Sequence, residues 1–291
     1  MVTERVTVLE VISKSSDFLA KRGVESPRLQ TELLLAHVLQ LPRMKLYLNF
    51  ERKLTEPELD SLRKLVQRRG QREPLQHLVG STSFCELEIA VNRHVLIPRP
   101  ETEQLAEAGW NFLSTLNPQH STALDFGTGS GCIAIALAAK CPAARIVALD
   151  VSTDALATAK KNAAQNQVGD RIEFRHGDGF ATLTPEDRFD LIVSNPPYIA
   201  SAEIETLQPE VRDHDPRGAL DGGADGLDFY RRLATEAAAF LKPNGKLMLE
   251  FGAGQATSIS EIFATAKWTV ESVQPDYSKR ERFLIARPPH H

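Results

Sequence analysis

Ser194-Asn195-Pro196-Pro197-Tyr198 follows an apolar run, Phe189 to Val193. That run has the composition of a buried parallel strand. Proline fixes φ and donates no hydrogen bond, so two in succession end a strand at once. Asn195 is therefore expected at the strand's carboxyl end, where ligands bind in open α/β sheets. Its carboxamide carries an acceptor oxygen and a donor NH2. Pro197 has no N–H, so the Pro196 carbonyl is expected to serve as a second acceptor. Tyr198 adds a flat aromatic face. Such a set can accept both hydrogens of a planar NH2 group while a ring stacks on it. A plain strand-ending turn draws on the same residue types.

Three earlier stretches have the same strand-then-polar form. Gly127-Thr128-Gly129-Ser130-Gly131 follows a strand-like Ala123 to Phe126 and precedes a helix-like Cys132 to Ala139. A glycine loop there lets a ligand approach backbone N–H groups at a helix N-terminus. A dinucleotide fingerprint spaces its glycines G-x-G-x-x-G; here the third glycine comes one residue early. Asp125, just before the loop, would repel a pyrophosphate, and a carboxylate beside a glycine loop suits a cation. The sulfonium and amino group of S-adenosylmethionine, with S-adenosylhomocysteine as the product, meet that description. Asp150 ends a second strand, Ile146 to Asp150, where it can accept from both ribose hydroxyls. In Gly177-Asp178-Gly179-Phe180 the ring is expected to pack on adenine and the Asp178 carboxylate to accept from its exocyclic amine. Each piece alone is ordinary turn chemistry; together, at the ends of four successive strands, they describe one site.

The elements that must position these residues alternate from about Ser121 as strand and helix, the pattern of a parallel sheet with helices on both faces. Glu203 to Val211 and Phe229 to Leu241 read as helices, Gly245 to Phe251 as a fifth strand. Trp268 to Val273 and Arg282 to Ala286 read as two more strands that include an antiparallel edge. The fold class expected is α/β, a Rossmann-like, mostly parallel seven-stranded sheet with a small N-terminal helical bundle and a β-hairpin linker. Domains are expected at 1–75, 76–98 and 99–289.

In the bundle, Thr7 with Glu10 and Thr55 with Glu58 have capping-box spacing, and Ser26-Pro27 reads as an N-cap followed by proline at the first helical position. A basic run, Arg63, Lys64, Arg68, Arg69 and Arg72, reads either as a solvated face or as a docking surface. Pro74 to Val95 reads as a hairpin with Gly80-Ser81 as turn signal. Leu96 to Glu103 holds two prolines around Arg99, a rigid corner that either borders a pocket or joins two domains. The Asp-, Gly- and Pro-rich stretch from Asp213 to Gly226 is long enough to be a lid or a mobile rim.

Composition sets limits. Net charge is −4 over 291 residues, which argues against a general nucleic-acid binder. Cys85, Cys132 and Cys141 are sparse and odd in number, as expected of reduced thiols in the cytoplasm. No Cys/His cluster has metal-ligand spacing, so no metal is expected. The charged start, Met1 to Arg5, does not read as a signal peptide. No apolar run approaches the roughly 18 residues of a membrane span. His290 and His291 read as tag remnants.

With these motifs in place, the chain resembles the class I S-adenosylmethionine-dependent methyltransferases. More narrowly, it is similar to the HemK-type peptide chain release factor glutamine N5-methyltransferases. The resemblance covers nearly the whole chain and includes Pro74-Leu75-Gln76-His77, Leu96 to Glu103, Asp125 to Gly131, Asn195 to Tyr198, and Leu220-Asp221-Gly222-Gly223 with Asp225-Gly226-Leu227. Family members often have tryptophan where Phe180 stands. The resemblance implies that Gly127 to Gly131 bind the cofactor, Asp150 holds its ribose and Phe180 flanks its adenine. It also implies that Asn195 and the Pro196 carbonyl accept from a glutamine amide with Tyr198 against it. Pro197, Arg99 and Glu101 are expected to border the substrate. The substrate implied is the glutamine of the Gly-Gly-Gln motif in bacterial class 1 release factors, with the enzyme a monomer that keeps no stable nucleic-acid partner.

Two other readings share some of these residues. An asparagine grip on a planar NH2 would also serve adenine N6 or guanine N2 of a nucleic acid. Enzymes acting on DNA must extract the base and usually carry a larger, basic recognition domain, unlike this small bundle. A non-catalytic cofactor-binding protein would have no use for an intact Asn195 to Tyr198.

Overall fold

The computed structural model describes residues 6–116 and 121–289. The charged start, Met1 to Arg5, and His290 and His291 lie outside the described residues. By internal contacts the chain divides into two units, 1–80 with 208–214, and 81–207 with 215–291.

The first unit is helical: α1 (Val8–Lys21), α2 (Pro27–Leu39), α3 (Arg43–Leu46), α4 (Glu56–Gly70) and α5 (Leu75–Val79). Both expected capping boxes form. The Thr7 hydroxyl accepts from Glu10 N at 3.3 Å and the Glu10 carboxylate from Thr7 N at 2.8 Å. Thr55 and Glu58 repeat the arrangement at the start of α4. Ser26 departs from expectation. Pro27 takes the first helical position, but Ser26 sits in the left-handed region (φ 48°) and its side chain caps nothing. Val8, Ile12, Leu19, Leu34, Leu35 and Leu62 form the core. At about 1.5–3 kcal/mol for each fully buried large apolar side chain, this burial outweighs the helix ends.

The arginines of the basic run are paired with acids. Arg63 pairs with Asp60 and Arg68 with Glu73. Arg69, buried, and Arg72 both bond Glu210 at 2.7 Å. Burial pushes the Glu210 carboxyl up, yet the bonds from Arg72 and Arg69 prevail and hold it down at about 2.

The second unit starts with a hairpin, β1 (Ser81–Phe84) and β2 (Leu87–Ala90). Gly80 is not its turn, as expected from sequence, but the left-handed cap of α5 (φ 85°). The turn is Cys85-Glu86, both at positive φ (50° and 68°). Then come α6 (Pro100–Ser114), β3 (Thr122–Phe126), α7 (Cys132–Lys140), β4 (Arg145–Asp150), α8 (Thr153–Gln165), β5 (Ile172–His176) and β6 (Phe189–Ser194). The expected helix from Glu203 to Val211 is broken. Only a 3-10 turn at Ile204–Thr206 and a short α9 (Pro209–Arg212) form, because Pro209 cannot continue a helix. Last are α10 (Asp228–Glu236), β7 (Leu241–Glu250), α11 (Ala256–Thr265), β8 (Thr269–Pro275) and β9 (Glu281–Arg287).

The sheet has seven strands in the order β5-β4-β3-β6-β7-β9-β8. The first five are parallel; β9 is antiparallel to both β7 and β8. This is the α/β sheet with an antiparallel edge read from the sequence. Alternate strand residues face two cores. Ala123, Ile146, Leu191 and Met248 pack under α6, α7 and α8, while Leu124, Val147, Ile192 and Leu247 pack under α10 and α11. No described helix is long and apolar enough to cross a membrane.

Two carboxyl groups break the apolar pattern. Asp125 on β3 and Glu250 on β7 are each only 1% exposed. Burial pushes both up to about 7. For Asp125, bonds from the Thr128 hydroxyl (2.6 Å) and Ala134 N (3.1 Å) reach only Oδ2, and Oδ1 has no partner. A carboxyl raised from 3.8 to about 7 costs stability as pH rises through that interval, because the unfolded chain releases its proton first. Between pH 5 and 8 the wild type should therefore lose stability, and Asp125→Asn should lose less of it. The difference should reach at most about 4 kcal/mol in urea unfolding. Parallel pH dependence in both proteins would show that Asp125 does not titrate in this range.

Candidate active site

Across the sheet, β4 and β5 follow β3 on one side, and the chain then returns to lay β6 on the other side. The topological switch point is thus between β3 and β6, and a crevice opens outside their carboxyl ends. A cavity of about 240 Å³ occupies it.

The loop after β3 contributes Gly127 to Ser130 to the cavity wall. Gly127 (φ 74°) and Gly129 (φ 53°) have open space where a Cβ would stand, with nothing within 4 Å. Gly131 (φ 82°) serves a different purpose: a Cβ there would lie 2.9 Å from the Ala159 Cβ, so it lets α7 pack on α8 and stays off the wall. The loop is tied to β4. Gly127 N and Thr128 N both donate to Leu149 O at 2.9 Å, and Gly129 N to Asp150 Oδ2 at 2.8 Å. Ser152 N donates to Asp150 Oδ1 at 2.8 Å. The Asp150 carboxylate is thereby fixed at the rim beside two bare glycines. That cradle, next to a rigid double acceptor, fits the ribose and tail of a nucleoside cofactor.

Asn162, fully buried on α8, braces the same loop. Its Nδ2 donates to Ser130 O (2.9 Å) and Ala90 O (3.0 Å), and its Oδ1 accepts from Ala90 N (2.9 Å).

After β6, Asn195, Pro196 and Pro197 form the opposite wall. Asn195 Nδ2 donates to Thr102 Oγ1 at 3.1 Å, and Thr102 Oγ1 donates to Glu250 Oε2 at 2.7 Å. The amide NH2 is therefore engaged with Thr102, and the carbonyl oxygen is the end left to the cavity. Tyr198 is not on the wall. Its ring packs on the core under α10 and α11, and its carbonyl accepts from Gln255 Nε2 at 2.9 Å.

Other expected positions also need correction. Phe180 is 3% exposed, lying against Phe126 and stacked on Phe240 at 5.2 Å with a 7° tilt. Its ring is turned into the core, where two aromatic neighbours bury more apolar area than a cavity wall would. Asp125 lies beneath the glycine loop, holding Thr128 and the start of α7, not on the wall. Glu101 also stays off it. Asp178 does reach the cavity, with its carboxylate held by Arg232 Nη1 at 2.5 Å. Arg99 lines the cavity too, but its Nη2 bonds the buried Asp215 at 2.8 Å, so the corner from Leu96 to Glu103 clasps the Pro216 to Ala219 rim. Burial raises the Asp215 carboxyl to about 6 in spite of Arg99.

Sequence reasoning missed Thr102, Glu250, Asn162 and Val151. An acid inside the run Leu247 to Phe251 and an asparagine at apolar helical spacing were visible signals. Val151 follows Asp150 onto the wall and is 66% exposed, an apolar surface of the kind a nucleobase covers. Among the described residues, no group of three or more His, Cys, Asp or Glu is placed to hold a metal.

Comparison with known proteins agrees with this geometry. Residues 10–80 match the PrmC N-terminal domain and residues 103–210 the methyltransferase small domain. A methyltransferase from Pyrococcus furiosus shares the fold, with TM-score 0.52 and 21% identity over 72% of this chain and 92% of that one. The release factor glutamine methyltransferase of Geobacter sulfurreducens is 46% identical over 89% of this chain and 88% of its own. That of Chlorobaculum tepidum is 41% identical over 98% of each. With a bare-glycine loop and a strand-end asparagine on one cavity, and relatives this similar along almost its full length, the chain belongs to the release factor glutamine methyltransferase family.

Proposed function

We propose that the protein methylates the side-chain nitrogen N5 of the glutamine in the Gly-Gly-Gln motif of bacterial class 1 release factors, with S-adenosylmethionine as donor. The observation that supports this reading is that Asn195 lines the cavity with its NH2 bonded to Thr102, which leaves the carbonyl oxygen as the end available to a substrate. The cofactor, when bound, supplies an electrophilic methyl group on a sulfonium. Gly127 to Ser130 and Asp150 would hold it, with Val151 and Asp178 bordering the base.

The substrate amide is a poor nucleophile because its lone pair is delocalised into the carbonyl. Asn195 Oδ1 and the Pro196 carbonyl accept its two hydrogens, raise electron density on nitrogen and hold it in one orientation. This is positioning and electrostatic preorganisation, not general base catalysis. Tyr198 acts from behind the wall, by anchoring the loop that carries Asn195. The helical unit is read as the substrate-recognition domain, and the 81–98 segment as part of the linker that leads from it.

Mass spectrometry of release factors incubated with enzyme and cofactor should place one methyl group on the motif glutamine; a methyl group found only on nucleic acid would replace this reading. Asn195→Ala should lower kcat by about 10²–10³-fold, with cofactor affinity by isothermal titration nearly intact. Full activity in that variant would remove Asn195 from the mechanism. Asp150→Ala should weaken cofactor binding by roughly 1–3 kcal/mol; unchanged affinity would mean that the ribose is held elsewhere.

A further inference from the structure

We propose that Thr102 and Glu250 are positioning residues that set which end of the Asn195 carboxamide faces the substrate. The inference rests on the glutamine-methylation reading. A carboxamide has nearly the same shape with its oxygen and nitrogen exchanged, so packing alone cannot choose between the two orientations. Hydrogen bonding can. Glu250 is 1% exposed and Thr102 2%, so water does not compete for their bonds.

An ionised carboxylate only accepts. Thr102 has one hydroxyl proton, and at 2.7 Å it goes to Glu250 Oε2. The Thr102 oxygen is then left as an acceptor, and the group 3.1 Å from it must be the Asn195 NH2. The carbonyl is driven to the cavity side. Reversing the carboxamide would turn its two N–H groups toward the two N–H groups of the substrate amide, and the grip would become repulsive.

Glu250 is well placed to impose this direction. It ends β7, paired with Phe283 of β9, and its carbonyl accepts from the buried Tyr230 hydroxyl at 2.8 Å. Burial, with Glu101, opposes its ionised form, whereas the Thr102 bond and the charges of Arg282 and Arg99 favour it. Its value of about 7 leaves it ionised in the mildly alkaline range. Thr102 is held in the first turn of α6, which begins at Pro100. The Pro-Glu-Thr-Glu corner therefore supplies the hydroxyl that orients an asparagine 93 residues away.

Thr102→Val keeps the side-chain shape and removes the hydroxyl, Thr102→Ser restores a hydroxyl, and Glu250→Gln keeps the shape while adding donors. All are assayed with purified release factor, cofactor and full-length enzyme at about pH 8, above the Glu250 value. Thr102→Val and Glu250→Gln should lower kcat by about 10- to 100-fold, with cofactor Kd within about twofold of wild type. Thr102→Ser should recover kcat to within about threefold. A second readout separates orientation from general disruption. Wild type should bind a release factor whose motif glutamine is replaced by glutamate about tenfold more weakly than the natural one, since two acceptors then face each other. Thr102→Val should narrow that ratio, because a reversed Asn195 can donate to a carboxylate. A Thr102→Val enzyme with unchanged kcat, or with reduced kcat but an unchanged glutamine-to-glutamate ratio, would overturn the inference. A wild-type enzyme that leaves release factors unmethylated would instead overturn the functional reading beneath it.

Discussion

Asp125 pairs with Val193 in the parallel ladder between β3 and β6. Each strand then runs only a short way before a loop that carries function, Gly127 after one and Asn195 after the other. Neighbouring strands stand about 4.8 Å apart, so this register brings the glycine cradle and the asparagine onto one cavity without any long side chain reaching across. A one-residue slip of β6 would turn Leu191 and Val193 out of one core and into the other. The apolar alternation on both faces therefore guards the site geometry as well as the fold. The third anchor is β4, whose Leu149 carbonyl and Asp150 carboxylate hold the glycine loop from the other side.

Buried polar groups do the remaining positioning, and each is found where a backbone or a hydroxyl must be held in one state. Asp125 holds the start of α7, Asn162 bonds the hairpin edge and the glycine loop together, and Glu250 takes the Thr102 proton. Asn162 meets its donors and acceptor fully, so its burial costs little. Asp125 and Glu250 are different. With burial prevailing over their bonds, both sit near neutrality and subtract from stability when ionised. Glu210 shows the opposite balance: two guanidiniums outweigh its burial. Carboxyls that reduce stability when ionised thus lie under the site, whereas Glu210 is held ionised by its guanidiniums.

The elements most legible in the sequence were those set by local chemistry. The two capping boxes, the Pro-Pro strand stop and the strand–glycine–helix unit depend on neighbours only a few residues apart. Most of the misread positions depended on distant partners; Gly80, which caps the helix just before it, did not. Phe180 was expected on the cavity because it follows a strand end, but Phe126 and Phe240 draw its ring into the core. The Gly80-Ser81 turn moved to Cys85-Glu86 because Gly80 was needed as a helix cap. Arg99 does line the cavity, as its spacing led one to expect, but only the fold shows Asp215, 116 residues later, taking one of its nitrogens. Thr102 and Glu250 are separated by 148 residues, so their bond has no local signature. The type of site could be read from the strand ends; the side chains that orient it could not.

The buried relay also explains why an amide, and not a carboxylate, stands at position 195. A carboxylate would offer the substrate an even stronger pair of acceptors. It would also need a donor from Thr102, whose single proton is already taken by Glu250 at 2.7 Å. Two carboxylates would then share one hydroxyl in a nearly water-free corner, and like charges at such range force one of them to take up a proton. If the acid at 195 took the proton it would turn donor, the wrong polarity for gripping an NH2 group; if Glu250 took it, the Thr102 bonds would reverse and the negative charge would sit at 195. The carboxamide alone gives a hydrogen to Thr102 and still presents an uncharged acceptor to the cavity, over the whole pH range in which Glu250 is ionised.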